Sequence, residues 1–390
     1  MDDIVITGYG IKAPGIYDKS SFLEVLKNGI CTQSLLKNSL GEPIVAGMIH
    51  DDFIRLNEKN YKRLSRSYRM AIAAALDAVN MSDLCHYEPQ RIAVIMGTSA
   101  GAICEIEENS KIAFQLKTMP IQAVSWVDTH TLSESVAQAI GSCGPSFTLT
   151  TGCTASIDAT LLGKLLLESG SVDACIVGGT DAPLGKWTIN GFKKLRSLST
   201  ETCIQGAGVP FSNKHNGFVL AEGAGVLVME RKRSAQARGQ KSLGKIERVV
   251  SRNEAQGLLK SDTSGKHMLN VFQEAVGNSQ PCYVNSQALG IVTNDEIERF
   301  ILKETFGEKV PITSIKGMTG HVFGAMGAIQ MISSLLSMEY GFIPPTIKSN
   351  GHGFEDIPIV YETRDQEVDS VCITTHGNSG NNACLLLTSV

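Results

Sequence analysis

The sequence predicts an α/β protein, and three observations support this fold class. Apolar runs of strand length alternate with stretches of helical periodicity almost to the end of the chain, as in proteins whose helices cover a buried sheet. The short apolar runs are rich in Val, Ile and Thr, which is typical of central strands. The chain has 390 residues, enough to bury a large core without a disulfide or a metal ion.

The predicted elements follow one another in this alternating order. The predicted strands are 4–8, 92–97, 147–150, 175–178, 225–229, 245–250, 282–285, 371–375 and 384–388, and the predicted helices include 64–79, 132–140, 156–167 and 322–338. A polar stretch at 230–239 separates the first part of the chain from the second. It is either a domain boundary or the exposed end of a helix.

The composition gives no indication that the protein binds nucleic acid or a membrane surface. Hydrophobic residues make up 43% and charged residues 19% of the chain, and the formal net charge is −4 with no long run of Lys or Arg. These values are those of an ordinary globular protein and do not favour binding to nucleic acid or to an anionic membrane.

The ten cysteines are scattered singly, with no Cys-x-x-Cys pair and no Cys/His spacing typical of zinc. We therefore expect free thiols and no metal site. The first residues are acidic and then strand-like, unlike a signal peptide, and no apolar run approaches the roughly 20 residues that span a bilayer. The sequence predicts a cytoplasmic protein without membrane insertion.

Cys153 is the candidate nucleophile. It lies in the segment 150–156 (TTGCTAS), between a strand-like and a helix-like run. A turn at Gly152 would place the sulfur at the N-terminus of a helix, where the helix dipole favours thiolate and backbone N–H groups can form part of an oxyanion hole. The local pattern alone favours the other interpretation, one more buried structural cysteine.

His321 is the second candidate. It lies in the segment 316–328 (KGMTGHVFGAMGA), where Gly320 permits a sharp turn and the following small residues permit close helix packing. An imidazole at this turn could activate a carbonyl group or accept a proton near neutral pH. The alternative is a core histidine with a backbone partner. Lys316 would either orient His321 or be solvated.

A third segment, 376–383 (HGNSGNNA), lies between two predicted strands. Glycine-rich loops of this kind allow a ligand to approach the backbone closely. Asn/Gly loops are also common in hairpins, so this segment is a weak signal by itself.

Taken in order, five further segments extend the pattern: 4–10 (IVITGYG), 96–98 (MGT), 210–211 (PF) with 216–225 (NGFVLAEGAG), and 343–346 (IPPT). Together with the three segments above, they resemble the β-ketoacyl-acyl-carrier-protein synthases of fatty acid and polyketide synthesis. The resemblance runs nearly end to end. It implies a thiolase-like fold with two similar halves, 1–235 with the nucleophile and 236–390 with the Lys/His motif, forming five layers, αβαβα.

The resemblance also implies roles for the matched residues. Cys153 falls on the family's nucleophile, and Lys316 and His321 fall on its Lys-x-x-x-x-His pair. Members take an acyl chain from the phosphopantetheine of an acyl carrier protein, then decarboxylate malonyl-carrier protein so that the carbanion attacks the acyl thioester. The resemblance implies no metal and no bound cofactor, acyl carrier protein as partner, and a homodimer or a heterodimer with another ketosynthase-like subunit.

The segment 283–295 (YVNSQALGIVTND) departs from the family pattern, which has a His-Gly-Thr-x-Thr motif there. Gln287 occupies the histidine position, while Asn285, Asn294-Asp295 and Glu298 fit. Glutamine can donate a hydrogen bond to a thioester oxygen but cannot act as a general base near pH 7. The loss of such a group typically costs about 10²–10⁴-fold in rate, so impaired decarboxylation is expected.

The C-terminal loop also departs from the family, whose Phe-Gly-Phe-Gly-Gly sequence gates the cysteine. Here the positions read His376-Gly377-Asn378-Ser379-Gly380. Asn378 would be the gate, His376 adds an imidazole, and with Ser379 these residues are predicted to bind substrate. Gln330 replaces an acidic residue usual after the Gly-Ala-x-Gly motif.

Three functions remain open at this stage. The first is a condensing enzyme that still elongates, with Gln287 or His376 assisting. The second is a non-elongating acyltransferase that loads Cys153 and passes the acyl group to a carrier protein, an amine or an alcohol. The third is a partner subunit similar to a chain-length factor, against which the intact Cys153 argues, and a plain thiolase fits the motifs less well.

Overall fold

The chain is described by a computed structural model that covers residues 2–37, 41–54, 56, 61, 63–257, 261–377 and 380–390. Its strands are β1 (Ile4–Lys12), β2 (Ser34–Lys37), β3 (Pro43–Ala46), β4 (Ile92–Gly97), β5 (Ser146–Leu149), β6 (Ala174–Asp181), β7 (Gly223–Arg231), β8 (Gly244–Asn253), β9 (Tyr283–Asn285), β10 (Ile312–Thr313), β11 (Phe342–Ile343), β12 (Arg364–Asp365), β13 (Ser370–His376) and β14 (Asn381–Thr388).

Helices connect most of these strands. They are α1 (Lys19–Asn28), α2 (Arg66–Ser82), α3 (Ile103–Leu116), α4 (Ala123–Val127), α5 (Thr131–Ile140), α6 (Ala155–Glu168), α7 (Lys186–Lys194), α8 (Lys232–Ala237), α9 (Lys266–Val276), α10 (Val292–Phe306), α11 (Lys316–Thr319) and α12 (Met326–Tyr340). Among the described residues, no helix combines the length and apolar character needed to cross a bilayer.

Two five-stranded sheets have the same topology. The first has the order β5-β4-β6-β7-β1 and the second the order β10-β9-β13-β14-β8. In the first sheet β5, β4 and β6 are parallel and β7 is antiparallel to both of its neighbours; in the second, β10, β9 and β13 are parallel and β14 is antiparallel to both of its neighbours. The chain therefore contains two similar halves, as the resemblance implied.

The two sheets are joined at their edges and covered by helices in five layers. β1 and β8 pair over a short stretch, Val5 with Lys245 and Ile6 with Gly244, so that the strands form one ten-stranded ladder. α6 and α12 pack against each other and against strands of both sheets. α2 and α5 cover the outer face of the first sheet, and α9 covers that of the second. The predicted α/β fold with αβαβα layers is confirmed.

The core explains why these elements form. Strands β1, β4, β6 and β7 are buried almost throughout, which is why they appear in the sequence as continuous apolar runs rather than alternating ones. α2 begins after Ser65, whose side chain accepts a hydrogen bond from the backbone N–H of Tyr68 as an N-cap. All nine predicted strands are present; β4 has the predicted bounds, and the other eight are shifted at one or both ends.

One predicted helix begins later than expected. The sequence predicted a helix from residue 322, but α12 begins at Met326, after a 3₁₀ turn at Phe323–Ala325. Gly320 has φ of +77° and Phe323 has φ of +41°, both outside the range of a right-handed helix. The polar stretch at 230–239 forms the end of β7 and the short helix α8.

Candidate active site

Cys153 lies at the turn between β5 and α6. Gly152 has φ of +70°, a conformation that glycine adopts at little cost, and a 3₁₀ turn at Gly152–Thr154 leads directly into α6. The hydroxyl of Thr154 donates to Oδ2 of Asp158 at 2.8 Å, and the hydroxyl of Thr151 donates to the same carboxylate. Residues on both sides of the sulfur are thereby fixed to the first turn of α6.

His321 faces this sulfur from the second half of the chain. Its Nε2 lies 3.1 Å from Sγ of Cys153. The backbone N–H of His321 donates to the carbonyl of Val219 at 2.8 Å, and the ring edges of Phe218 and Phe323 pack around the imidazole with centroid distances of 5.5 and 5.3 Å. The two residues that the sequence analysis singled out separately are therefore in contact.

Burial disfavours the charged forms of both Cys153 and His321. Burial raises the pKa of the Cys153 thiol to about 12; the nearby Asp181 carboxylate adds to this shift and Lys316 opposes it. Burial, together with the neighbouring Lys316 and His376, lowers the pKa of His321 to about 3. Burial therefore opposes the resting thiolate that the local sequence pattern predicted.

Lys316 is buried beside the pair, and the prediction that it could be solvated was wrong. Its Nζ donates to the backbone carbonyl of Ser286 at 2.7 Å. Burial lowers the pKa of this ammonium group to about 7, with the carboxylate of Glu298 opposing the shift. Lys316 therefore supports the backbone immediately before Gln287 rather than bonding to His321.

Gln287 is buried and lines the same cavity as Cys153. Its backbone N–H donates to the hydroxyl of Thr374 at 3.0 Å, and its Nε2 donates to the carbonyl of His376 at 3.3 Å. Among the described residues, no group donates to its Oε1. The side chain thus has one of its donor hydrogens committed to the protein, and a glutamine in this place cannot accept a proton.

His376 is held by two side chains of α10. Its Nε2 lies 3.1 Å from Oε1 of Glu298, and its Nδ1 lies 3.2 Å from Nδ2 of Asn294. Glu298 also accepts hydrogen bonds from the hydroxyls of Ser286 and Thr374. Burial would raise the pKa of Glu298, but the interaction with His376 and the hydrogen bonds from Ser286 and Thr374 together outweigh it, so the pKa of this carboxyl is lowered.

The loop that follows His376 borders the nucleophile. A methyl group added at Gly377 would lie 3.7 Å from the backbone nitrogen of Cys153, and Nδ2 of Asn381 donates to the carbonyl of Thr151 at 3.3 Å. Asn378 and Ser379, predicted to bind substrate, lie outside the described residues.

These residues surround a chamber with an open mouth. The chamber has a volume of about 240 Å³ and the mouth a volume of about 510 Å³. The chamber brings together Cys153, His321, Gln287 and His376 with apolar walls, which include Phe192, Phe218, Leu289, Ile291 and Phe323. Leu195, Ile291, Asn294, His376 and Gly377 line both spaces, so they form the passage between them.

Sequence reasoning missed Asp181, at the end of β6. Its buried carboxylate accepts hydrogen bonds from the hydroxyl of Thr98 and from three backbone N–H groups, those of Ser99, Ala100 and Gly324. Burial raises its pKa to about 6, although these donors oppose the shift. Asp181 ties the loop after β4 to the turn that follows His321. The available signal was its place at the carboxyl end of a buried strand.

The one cluster of three possible metal ligands among the described residues lies away from this chamber. Asp83, Cys85 and His86 have ligand atoms within 4.8 Å of one another, but all three are exposed and none lines the chamber.

The repeated five-layer fold and a cysteine paired with an imidazole in a buried chamber define a thiolase-fold acyltransferase. Residues 1–235 match the family "Beta-ketoacyl synthase, N-terminal domain", and residues 246–350 match "Beta-ketoacyl synthase, C-terminal domain". The chain belongs to the β-ketoacyl synthase family, whose members act in fatty acid and polyketide biosynthesis. The resemblance inferred from the sequence motifs is confirmed.

Curated relatives match along almost their whole length. The chain is 28% identical to the tetracenomycin polyketide synthase ketoacyl synthase alpha subunit of Streptomyces glaucescens, over 98% of this chain and 96% of the relative. It is 30% identical to 3-oxoacyl-[acyl-carrier-protein] synthase 2 of Staphylococcus aureus (strain COL), over 98% of this chain and 97% of the relative.

Solved structures share the fold. A β-ketoacyl synthase from Burkholderia phymatum superposes with a TM-score of 0.91 at 21% identity, covering 100% of both chains. The ishigamide ketosynthase/chain length factor gives 0.89 at 21% identity, covering 100% of this chain and 99% of the other. A type II polyketide synthase acyl-carrier protein in complex with its ketosynthase bound to the hexaketide gives 0.88 at 24% identity, covering 100% of both chains.

Proposed function

We propose that this protein is a condensing enzyme that takes an acyl group from an acyl carrier protein onto Cys153 and joins it to malonyl-carrier protein. The observation that carries the proposal is the 3.1 Å separation between Sγ of Cys153 and Nε2 of His321 inside a chamber that opens to the surface. A thiol in hydrogen-bond reach of an imidazole is the arrangement that nucleophilic catalysis by cysteine requires.

In the loading step, the sulfur of Cys153 attacks the carbonyl carbon of the acyl thioester. The thiol proton moves to Nε2 of His321 as the bond forms, because neither group is ionised beforehand. The backbone N–H of Cys153 lies at the N-terminal end of α6, where it can donate to the developing oxyanion. The tetrahedral intermediate then expels the phosphopantetheine thiolate, which takes the proton from His321.

In the condensing step, malonyl-carrier protein loses carbon dioxide, and the electrons of the broken C–C bond form an enolate. His321 no longer faces a thiol after acylation, so its imidazole can hydrogen-bond to the enolate oxygen. The enolate carbon attacks the acyl carbonyl, and the Cys153 thiolate leaves and takes up one proton. Gln287 stands where the family has a second imidazole, so we expect slower decarboxylation than in a histidine-containing member.

The carrier proteins are proposed from the shape of the site as well as from the relatives. The reacting sulfur lies at the inner end of the passage formed by Leu195, Ile291, Asn294, His376 and Gly377. A thin, extended arm such as phosphopantetheine can present a thioester there while its protein remains outside. On this proposal the arm arrives with the substrate, no metal or resident cofactor takes part, and the enzyme works in the cytoplasm.

A dimer is proposed from an apolar surface on α3, α4 and the segment between them. Its members are Phe114, Leu116, Ile121, Val124 and Val127, and Phe114 is 92% exposed. Five large apolar side chains exposed within fourteen consecutive positions are more than the scattered single ones of an ordinary surface, and such a concentration favours a protein interface. We propose that a second copy, or a related ketosynthase-like subunit, covers it.

Intact-mass spectrometry with acyl-carrier and malonyl-carrier thioesters tests the proposal. We expect an adduct of the acyl mass on the wild-type chain, no adduct on Cys153→Ala, and consumption of malonyl-carrier protein only after acylation. An acylated chain that never consumes malonyl-carrier protein, with genuine carriers present, would remove the condensing step. Equal acylation of wild type and Cys153→Ala would remove the loading step.

A further inference from the structure

A second imidazole faces the chamber, and the condensing mechanism makes no use of it. His376 and Glu298 form a buried pair, with 3.1 Å between Nε2 and Oε1 and side-chain exposures of 7% and 0%. His376 lines the chamber that contains Cys153 and also lines its mouth. Any acceptor that enters the chamber passes this ring.

The hydrogen bonds of His376 indicate which nitrogen carries the proton. The amide Nδ2 of Asn294 can only donate, so Nδ1 of His376 accepts from it at 3.2 Å. Nε2 then carries the hydrogen that is donated to Glu298. This is the arrangement of a general base: a carboxylate fixes the tautomer and stabilises the imidazolium, while the other ring nitrogen has a lone pair.

Glu298 is itself held in place for this task. It accepts from Ser286 at 2.6 Å and from Thr374 at 2.8 Å, so it cannot rotate away from the imidazole without losing both bonds. The adjacent Gln287 cannot compete for a proton, and its Nε2 is bound to the backbone carbonyl of His376. Among the described chamber residues, His376 is therefore the imidazole not already paired with the nucleophile.

We propose that His376, oriented by Glu298, activates a neutral hydroxyl or amine acceptor, so that the acyl group on Cys153 is also released as an ester or an amide. The proposal rests on acylation of Cys153, as proposed above, but not on condensation. An acceptor that displaces the Asn294 amide donates its O–H or N–H to Nδ1 of His376. This nitrogen then receives the acceptor's proton and acts as the general base.

The surroundings select a neutral acceptor over an ammonium ion. The chamber walls include Phe192, Phe218, Leu289 and Phe323, and Lys316 is buried nearby. None of the described residues that line the chamber carries a carboxylate, and Glu298, behind His376, already accepts from two hydroxyls. An ammonium ion would lose its hydration without compensation.

The step is balanced without any further reactant. The acceptor oxygen or nitrogen forms a bond to the acyl carbonyl carbon while its proton moves to Nδ1 of His376. The C–S bond to Cys153 then breaks, and the thiolate leaves. The proton passes from His376 to this thiolate, so that the ester or amide is released and both His376 and Cys153 return to their neutral forms.

The test uses acyl-enzyme prepared from a short acyl-carrier thioester, and three acceptors of similar shape at pH 7: benzyl alcohol, aniline and benzylamine. We expect single-turnover release of ester and anilide, and little amide from benzylamine, which is an ammonium ion at this pH. His376→Phe should lower acyl transfer to benzyl alcohol by about 10²–10⁴-fold, the usual contribution of a general base. Glu298→Gln should lower it less.

A matched control is the exposed pair His352 and Glu355, 3.5 Å apart at the surface. His352→Phe should transfer at the wild-type rate. Acylation is measured separately by intact mass, so that a variant that fails to load is distinguished from one that fails to transfer. Transfer by His376→Phe at the wild-type rate would overturn the inference, as would a loaded wild-type enzyme that uses none of the acceptors. A wild-type chain that does not load contradicts the proposed function instead.

Discussion

The sulfur of Cys153 lies 3.1 Å from Nε2 of His321, and burial raises the pKa of the thiol and lowers the pKa of the imidazole. A resting thiolate would be ready to attack at any time, whereas in the proposed mechanism the proton moves from Cys153 to His321 only as the sulfur bonds to a carbonyl carbon. The reactivity of Cys153 should therefore depend strongly on a bound thioester, and less on the pH of the solution.

The first prediction concerns Cys153 among ten cysteines. In the presence of acyl-carrier thioester, Cys153→Ser should lose stable acyl-enzyme formation, because a hydroxyl is a much weaker nucleophile than a thiol. Cys203→Ala removes an exposed cysteine and should acylate like the wild type. Peptide mapping that located the acyl group on another cysteine would contradict the assignment.

The second prediction concerns Gln287. The resemblance to the family predicts an imidazole at position 287, so malonyl decarboxylation by Gln287→His should rise by about 10²–10⁴-fold. Release of labelled carbon dioxide from malonyl-carrier protein measures it. Gln366→His changes an exposed glutamine in the same way and should have no effect. An unchanged rate in Gln287→His would show that position 287 does not limit the reaction.

The third prediction concerns Asp181. Asp181→Ala would leave three backbone N–H groups, those of Ser99, Ala100 and Gly324, without their acceptor. At about 1–3 kcal/mol for each buried donor, the free energy of unfolding should fall by about 3 kcal/mol or more, as measured by urea denaturation. Asp365→Ala removes an exposed carboxylate and should change it by less than about 0.5 kcal/mol. Equal effects of the two substitutions would mean that the loop after β4 and the turn after His321 do not depend on Asp181.

The fourth prediction concerns the pH dependence of stability. The pKa of Lys316 is about 7 in the folded chain and 10.5 when unperturbed. Between these values the unfolded chain binds one more proton at this position, so the contribution of Lys316 to stability rises with pH. The free energy of unfolding of the wild type, minus that of Lys316→Met, should increase from pH 7 to pH 9. A flat difference would indicate that Lys316 remains protonated.

The fifth prediction concerns the apolar surface of Phe114, Leu116, Ile121, Val124 and Val127. Val124→Asp places a charge in this surface and should shift the chain, or its complex with a related subunit, towards monomer in light scattering. Val390→Asp changes an exposed valine at the C-terminus and should leave the mass unchanged. Full association of Val124→Asp would place the interface elsewhere.

The sequence allowed prediction of those features that depend on neighbours along the chain. Gly152 before Cys153, and Gly320 before His321, identified two turns, and both turns adopt positive φ. The strand runs were recognisable because strands buried on both faces are apolar throughout. Motif order then supplied the fold and the likeness of the halves, which periodicity alone did not.

Features set by distant parts of the chain were not predictable. The helix expected from residue 322 begins only after a 3₁₀ turn in which the N–H of Gly324 donates to Asp181, 143 residues away. The raised pKa of Cys153 comes first from burial, which is a property of the assembled core and has no signature in the local sequence pattern. The pairing of His376 with Glu298 spans 78 residues and has no local signature.

Cys153 precedes α6 and His321 precedes α12, two helices that pack against each other in the middle of the molecule. At this seam the N–H of Ala328 donates to the hydroxyl of Ser156, and a methyl group added at Gly327 would lie 2.6 Å from Cγ1 of Ile157. Because interiors are close-packed, such a methyl group would push the helices apart and carry the sulfur and the imidazole with them. Substitutions at the interface between α6 and α12 can therefore change the distance between Cys153 and His321, and with it their reactivity, without replacing any reacting side chain.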